Sequence, residues 1–360
     1  MPMKTVQRKG LNFEGQNVYI GIDVHKKSWQ VAIQTETGYE ESFRMSSNHV
    51  EELRKHLTTN FPQANYHSVY ESGFSGFSTH RELTSAGINN IIVNAADVPT
   101  MQKEQVTKTD VIDARKLVRA LRKKSIEGIY VMTKQEESFR ELERHRDSLT
   151  EDIGRLKSRI KHLLHRNGIR FEEKFGGSGH WTKAFVKWMK EEIELPQMTK
   201  RALDDELDLY LILRKKKLEI SLEIRHLMKD EFASEHELLT SVPGIGLITA
   251  ATLLAEIGNF DRFRNEKTLA SYAGLSPTCH SSGEKETKGE ITFRCNRRLR
   301  RCLIESSWVA IRTDSALSSS FLELRKRMPA CNAIIRIARK LLNRVLYVMK
   351  NGAIYEKGIN

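Results

Sequence analysis

Val18-Tyr19-Ile20-Gly21-Ile22-Asp23-Val24 is a short apolar run interrupted by one carboxylate, and after Lys26-Lys27 the segment Ser28-Trp29-Gln30-Val31-Ala32-Ile33 alternates in character. The pair predicts a β-hairpin with Asp23 in the middle of its first strand. His67-Ser68-Val69-Tyr70-Glu71 and Ile91-Ile92-Val93-Asn94 read as further buried strands, separated by a helical stretch around His80-Arg81-Glu82-Leu83 that stops at Gly87. Strands alternating with helices predict an α/β sheet.

From about Gln135 the period changes. Leu142, Leu149, Ile153, Leu156, Ile160 and Leu163 recur at spacings of three, four or seven among charged residues, as in a heptad seam. A second such stretch runs from Leu203 through Leu207, Tyr210, Leu213 and Ile220 to Leu227, after a Gly176-Gly177-Ser178-Gly179 break. Two arrangements fit: a protruding or intermolecular coiled coil, and two amphipathic helices packed within one globule. The third region starts near Glu235, where Val242-Pro243-Gly244-Ile245-Gly246 feeds an apolar helix from Leu247 to Ile257, and reads as mostly helical and basic to the end. The expected domains are therefore 1–134, 135–234 and 235–360, an α/β unit followed by all-α regions.

Charge narrows the function. The 360 residues carry 59 Lys+Arg against 46 Asp+Glu, a net charge of +13, which favours a polyanionic partner. All four cysteines (Cys279, Cys295, Cys302, Cys331) lie in the last quarter without C-x-x-C spacing, so reduced thiols and a cytoplasmic setting are expected. No apolar run reaches the roughly 18 residues of a membrane span.

Asp23 stands among apolar residues, where an unpaired charge is expensive to bury, so a compensating cation is expected. Glu71 ends a strand and precedes the turn Ser72-Gly73-Phe74-Ser75-Gly76, at the carboxyl end where α/β folds tend to place sites. Asp110 and Asp113 stand three apart on a predicted helix and face the same way. Such acids, converging from two strands and a helix, can hold paired divalent cations for phosphodiester cleavage, and oxygen-only ligands favour Mg2+ or Mn2+. Each acid alone has a structural explanation: Asp110 as a helix cap, Asp113 as an ion-pair partner of Lys116, Glu71 as a turn residue.

In the third region Gly244 and Gly246 match a helix-hairpin-helix turn, whose backbone N–H groups can approach a phosphate. Leu269 to Pro277 ends a helix and leads into Thr278-Cys279-His280-Ser281-Ser282-Gly283-Glu284-Lys285, read as a polar loop. Beyond it, Arg294, Arg297, Arg298, Arg300 and Arg301 form a dense cationic stretch at the start of the Cys302-Leu303-Ile304 helix, suited to DNA phosphates or to a solvated face.

Together, Gly21-Ile22-Asp23, Tyr70-Glu71-Ser72-Gly73, the run from Lys108 to Arg115, Pro243-Gly244-Ile245-Gly246, Tyr272-Ala273-Gly274-Leu275 and Ser282-Gly283 resemble the DEDD insertion-sequence transposases with an added serine, the bridge-RNA-guided recombinases. The resemblance implies a RuvC-like, ribonuclease H-type N-terminal domain, a helical coiled-coil linker and a C-terminal transposase domain. It puts Asp23, Glu71, Asp110 and Asp113 in the metal-ligand places and Ser282 in the nucleophile's place, with Ser281 adjacent. It implies attack of the serine hydroxyl on donor and target DNA, a phosphoserine link, a structured guide RNA, and a dimer or tetramer in which metal site and serine meet between subunits. The Arg294-Cys295-Asn296 segment departs from the lysine- and glycine-containing stretch of relatives. Two other functions fit the residues less fully: a metal-dependent junction endonuclease using water, and a nucleic-acid-binding protein without catalysis.

Overall fold

The computed structural model describes residues 13–46, 49–100, 109–175, 181–282, 285–292 and 294–356, and for 278–290 the backbone alone. The chain divides into two compact units, Met1–Met132 and Thr133–Asn360.

The first unit runs β1 (Asn17–Val24), β2 (Ser28–Thr35), β3 (Glu40–Ser46), α1 (Val50–Asn60), β4 (Asn65–Glu71), α2 (Ser78–Ser85), β5 (Asn89–Val93) and α3 (Asp110–Arg122). Its strands form one mixed sheet in the order β3-β2-β1-β4-β5. The expected hairpin of β1 and β2 is antiparallel and extends to β3, whereas β1–β4 and β4–β5 are parallel. Residues at alternate positions take opposite faces. Val18, Ile20 and Ile22 of β1 are fully buried and pack with Trp29, Val31 and Ile33, under Leu53 and Leu57 of α1 and Leu83 of α2. On the other face α3 lays Ala114 and Val118 against Ala32, and Leu117 against Val69 and Val93.

That second face is where the site forms, because Gly21 and Asp23 of β1 and Val69 and Glu71 of β4 share it by alternation. Gly21 makes the close approach of α3 possible: a Cβ there would lie 2.2 Å from the Ala114 carbonyl oxygen and 2.6 Å from the Val118 nitrogen. Asp23 is one residue from the carboxyl end of β1, not in its middle, so its side chain is 22% exposed instead of sealed in the core.

The second unit is mostly helical: α4 (Lys134–Arg166), α5 (Glu172–Phe175), α6 (Lys183–Glu191), α7 (Gln197–Asp230), α8 (Ala233–Ser241), α9 (Leu247–Ile257) and α10 (Glu266–Tyr272), then β6 (Pro277–Ser282), β7 (Lys285–Ile291), α11 (Arg297–Thr313), α12 (Ser315–Arg325) and α13 (Ala330–Asn351). A capping box of Thr133 and Glu136 starts α4. The two heptad stretches are α4 and α7. They run antiparallel, since Gln135 donates to Glu231 near one end and Arg159 pairs with Glu206 towards the other. Within the chain Ile153, Leu156 and Ile160 bury against Leu203, Leu207 and Tyr210, with Phe171, Phe185 and Met189 completing an aromatic-rich core. At the opposite end Phe139, Ile224 and Met228 join the larger core built on α9, α11 and α13. The Gly176–Gly179 break lies outside the described residues.

One expectation is corrected. The segment read as a polar loop is a β-hairpin, β6 against β7, with Cys279 opposite Lys288 and Ser282 opposite Lys285, and an irregularity between Pro277 and Cys279. Hairpin pairing satisfies backbone groups whatever the side chains are, so a polar composition concealed it.

Candidate active site

The sheet register and the α3 packing gather the four carboxylates of the first unit. Gly21 pairs with Val69 and Ile22 with Tyr70 in the parallel register, which sets Asp23 beside Glu71 at the carboxyl ends of adjacent strands. Tyr70 fixes the turn that follows: its hydroxyl donates to the Gly76 carbonyl and accepts from the His80 amide, and burial pushes the phenol up to about 12. Thr109, not Asp110, caps α3, its hydroxyl accepting from the Ile112 amide. Asp110 and Asp113 thus occupy the helix's first turn, where the dipole favours anions.

Each acid has a cationic or imidazole neighbour. His25 Nε2 lies 3.0 Å from Asp23 Oδ2 and 3.5 Å from Asp110 Oδ1. Arg44 of β3 reaches to 3.6 Å from Asp110 Oδ2. Lys116 Nζ lies between Asp113 Oδ1 at 3.3 Å and Glu71 Oε1 at 3.5 Å. Of these only Lys116 was singled out from sequence, as the partner of Asp113. His25 and Arg44 were missed: His25 directly follows β1, and Arg44 lies on the edge strand β3, two strands from Asp23.

The electrostatics are those of crowded anions. Burial raises the Asp23 carboxyl above its usual range; the charge and hydrogen bond of His25 oppose that, and the Asp110 and Asp113 carboxylates add to it. Glu71 Oε1 is shut off from solvent and lacks a hydrogen bond; Lys116 is within ion-pair range but not in hydrogen-bonding geometry. Ligand atoms of Asp23, His25 and Asp110 lie within 4.8 Å of one another, close enough to share one ion. An acidic donor set with an orphaned carboxylate oxygen fits a divalent cation.

In the second unit a buried polar network holds the base of the β6–β7 hairpin. Glu256 of α9 is inaccessible to solvent and takes two hydrogen bonds from Arg144 of α4, at 2.7 and 2.8 Å. Asn296 donates to the same carboxylate at 2.7 Å, and Tyr272 donates its hydroxyl to the Glu256 carbonyl. Burial alone would raise Glu256, but the Arg144 and Asn296 hydrogen bonds and the arginine charge outweigh it and hold the carboxyl below its usual range. The two hairpin stems meet where the Asn296 amide donates to the Tyr272 carbonyl at 2.9 Å. Gly274 (φ +68) packs against Cys295 so closely that a Cβ would lie 2.4 Å from that residue's Cβ.

Among the five arginines read as phosphate contacts, Arg298, Arg300 and Arg301 have their guanidinium partners within the unit. Arg298 and Arg301 both pair with Asp147 of α4, Arg301 also with Glu151 at 2.8 Å. Arg300 donates to the Thr292 carbonyl and to Cys295 Sγ at the hairpin stem. Arg294 and Arg297 are exposed. Gly244 (φ +88) faces protein, since a Cβ would lie 2.5 Å from the Ser306 carbonyl oxygen, whereas Gly246, the N-cap of α9, faces open space. Cys302 is half-buried, and desolvation pushes its thiol up to about 11. The side chains of Ser281 and Ser282, and residue Gly283, lie outside the described residues.

Comparison with known proteins bears on both units. A model of the IS110 DEDD transposases matches residues 20–167, and the transposase model of the IS116/IS110/IS902 family matches residues 236–323. A Sinorhizobium fredii protein described as a transposase, y4rJ, is 31% identical over 319 residues, 81% of this chain and 78% of its own length. The transposase for insertion sequence element IS1533 of Leptospira borgpetersenii is 26% identical over 81% of this chain and 85% of its own. The pilin gene-inverting protein of Moraxella bovis is 35% identical over 129 residues, 34% of this chain and 39% of its own. The chain belongs to the IS110/IS116/IS902 family of insertion-sequence transposases.

Proposed function

We propose that this protein cleaves and rejoins DNA strands by serine attack assisted by the carboxylate cluster, moving or inverting the element that encodes it. The observation that carries the reading is the gathering of Asp23, Glu71, Asp110 and Asp113 on one face of the first unit, in a chain whose relatives are transposases. The sheet order β3-β2-β1-β4-β5 with α3 across its face supports a RuvC-like, ribonuclease H-type domain for that unit. Asp23, Asp110, Glu71 and Asp113 would hold Mg2+ or Mn2+, which when bound withdraws charge from the reacting phosphate oxygens.

Ser282 is the proposed nucleophile. Its oxygen forms a bond to phosphorus as the bond to the 3′ oxygen breaks, and that oxygen leaves as a hydroxyl after taking a proton. The phosphoserine link conserves the bond energy for rejoining to a partner strand. The clamped base of the β6–β7 hairpin supports a serine presented on a fixed arm. The +13 charge supports binding of nucleic acid, DNA as substrate and a structured guide RNA as partner, in a cytoplasmic homo-oligomer of two or four chains whose coiled-coil (135–234) and transposase (235–360) regions have separate tasks. No helix among the described residues is long and apolar enough to cross a membrane.

The test is to express the protein with its element's flanking DNA, purify it under denaturing conditions, and measure covalently attached DNA. An adduct lost with Ser282→Ala and Asp23→Asn but kept with Ser281→Ala is the expected result. Strand breaks that need Asp23 and not Ser282, without an adduct, would replace this reading with a water-using nuclease.

A further inference from the structure

The carboxylate cluster is divided in two. Asp23 and Asp110 share His25 and leave room for one ion, whereas Glu71 and Asp113 share the ammonium of Lys116. Lys116 is not a surface side chain that has folded over the acids. It lies one turn beyond Asp113 on α3, and its side chain is only 11% exposed. With so little exposure, and with Asp113 Oδ1 at 3.3 Å and Glu71 Oε1 at 3.5 Å, the ammonium is held between the two carboxylates instead of ranging through solvent. A second divalent ion between Glu71 and Asp113 would have to sit against this fixed positive charge.

We propose that Lys116 is a built-in replacement for a second metal ion, so that the site takes a single divalent cation at Asp23 and Asp110. The inference rests on the metal-site reading of the four carboxylates and refines it, because acids of this kind can otherwise hold a pair of ions about 4 Å apart. Lys116 acts here as a positioning residue: it neutralises and spaces Glu71 and Asp113.

The full-length protein is titrated with Mn2+, bound ion being counted by electron paramagnetic resonance and melting temperature followed in parallel. Wild type is expected to bind a single Mn2+ per chain. Lys116→Met is expected to bind two, and to gain more melting temperature from Mn2+ than wild type does, because Glu71 and Asp113 are left without their cation until metal arrives. Lys116→Arg, which keeps the charge, is expected to bind one, and Lys116→Gln serves as a second neutral variant if the methionine variant does not fold. Two ions in wild type, or one ion in both neutral variants with an unchanged melting response, overturns the proposal while leaving the metal site standing. Absence of bound Mn2+ in every variant, with Asp23→Asn melting like wild type whether or not Mn2+ is added, overturns the metal reading together with it.

Discussion

Glu256 is a buried anion whose carboxylate is compensated from two directions, by the Arg144 guanidinium and the Asn296 amide, while the Tyr272 hydroxyl ties down its backbone carbonyl. Arg144 is 39% exposed, so water takes over part of its charge when the partner is removed, and Glu256→Gln is expected to destabilise the second unit by roughly 2 kcal/mol at neutral pH, about the worth of the charged hydrogen bonds lost. The pH dependence follows from the direction of the shift. The folded carboxyl sits below its ordinary value, so its contribution is complete above that ordinary value and disappears as pH falls through the folded one. Melting curves of wild type and Glu256→Gln should therefore be well separated at pH 7 and converge in acid. A constant gap across the range would show that Glu256 works by shape instead of charge.

The contact of α3 with β1 is the element-level feature on which the carboxylate site depends, and Gly21 is its pivot. Gly21→Ala would drive a methyl group into the Ala114 carbonyl, so α3 must move away from the strand and carry Asp110 and Asp113 with it. We expect a stability loss of about 1–3 kcal/mol and a fall in strand cleavage of roughly 100-fold, because displacements near 1 Å are enough for that. Thermal melting and an adduct assay measure the two, and wild-type cleavage by a folded Gly21→Ala protein would rule this pivot out. Much at this level was readable from the chain itself. Apolar runs marked β1, β2, β4 and β5, and the apolar helix from Leu247 to Ile257 has the boundaries expected. What escaped had physical reasons. In β3 only Met45 is buried, since an edge strand needs little apolar pattern, so Arg44 was missed with it. The β6–β7 hairpin is polar apart from its Pro277–Ile291 base. Asp110 and Asp113 were legible by their spacing, but their pairing with His25 and Lys116 depends on the register of the sheet and the depth at which α3 packs, which no linear pattern encodes.

Across the whole molecule the count of basic side chains overstates what is free to meet DNA, because some of them are tied to carboxylates inside the fold. Arg298 lies in the first turn of α11, where a cation opposes the helix dipole, and the Asp147 carboxylate of α4 offsets both that and its charge. Arg301 is tied to Asp147 and Glu151 in the same way. Arg297, one residue from Arg298, points outward and has no ion pair among the described residues. These neighbours should therefore behave differently in DNA binding. Each phosphate contact contributes close to one unit to the slope of log affinity against log salt, so Arg297→Ala should lower that slope by about 1 and weaken binding alike for every sequence. Arg298→Ala should leave the slope near wild type and instead lower the melting temperature, since Asp147 loses one of its two arginines. Fluorescence anisotropy on a DNA duplex over a salt series, with melting curves of the same samples, separates the two effects. Equal slopes for both variants and wild type would mean that this end of α11 does not touch DNA, and the basic stretch would then be structural glue between α11 and α4. A loss of slope in Arg298→Ala would mean that DNA competes with Asp147 for that guanidinium, making the α4–α11 ion pairs part of a binding-coupled rearrangement.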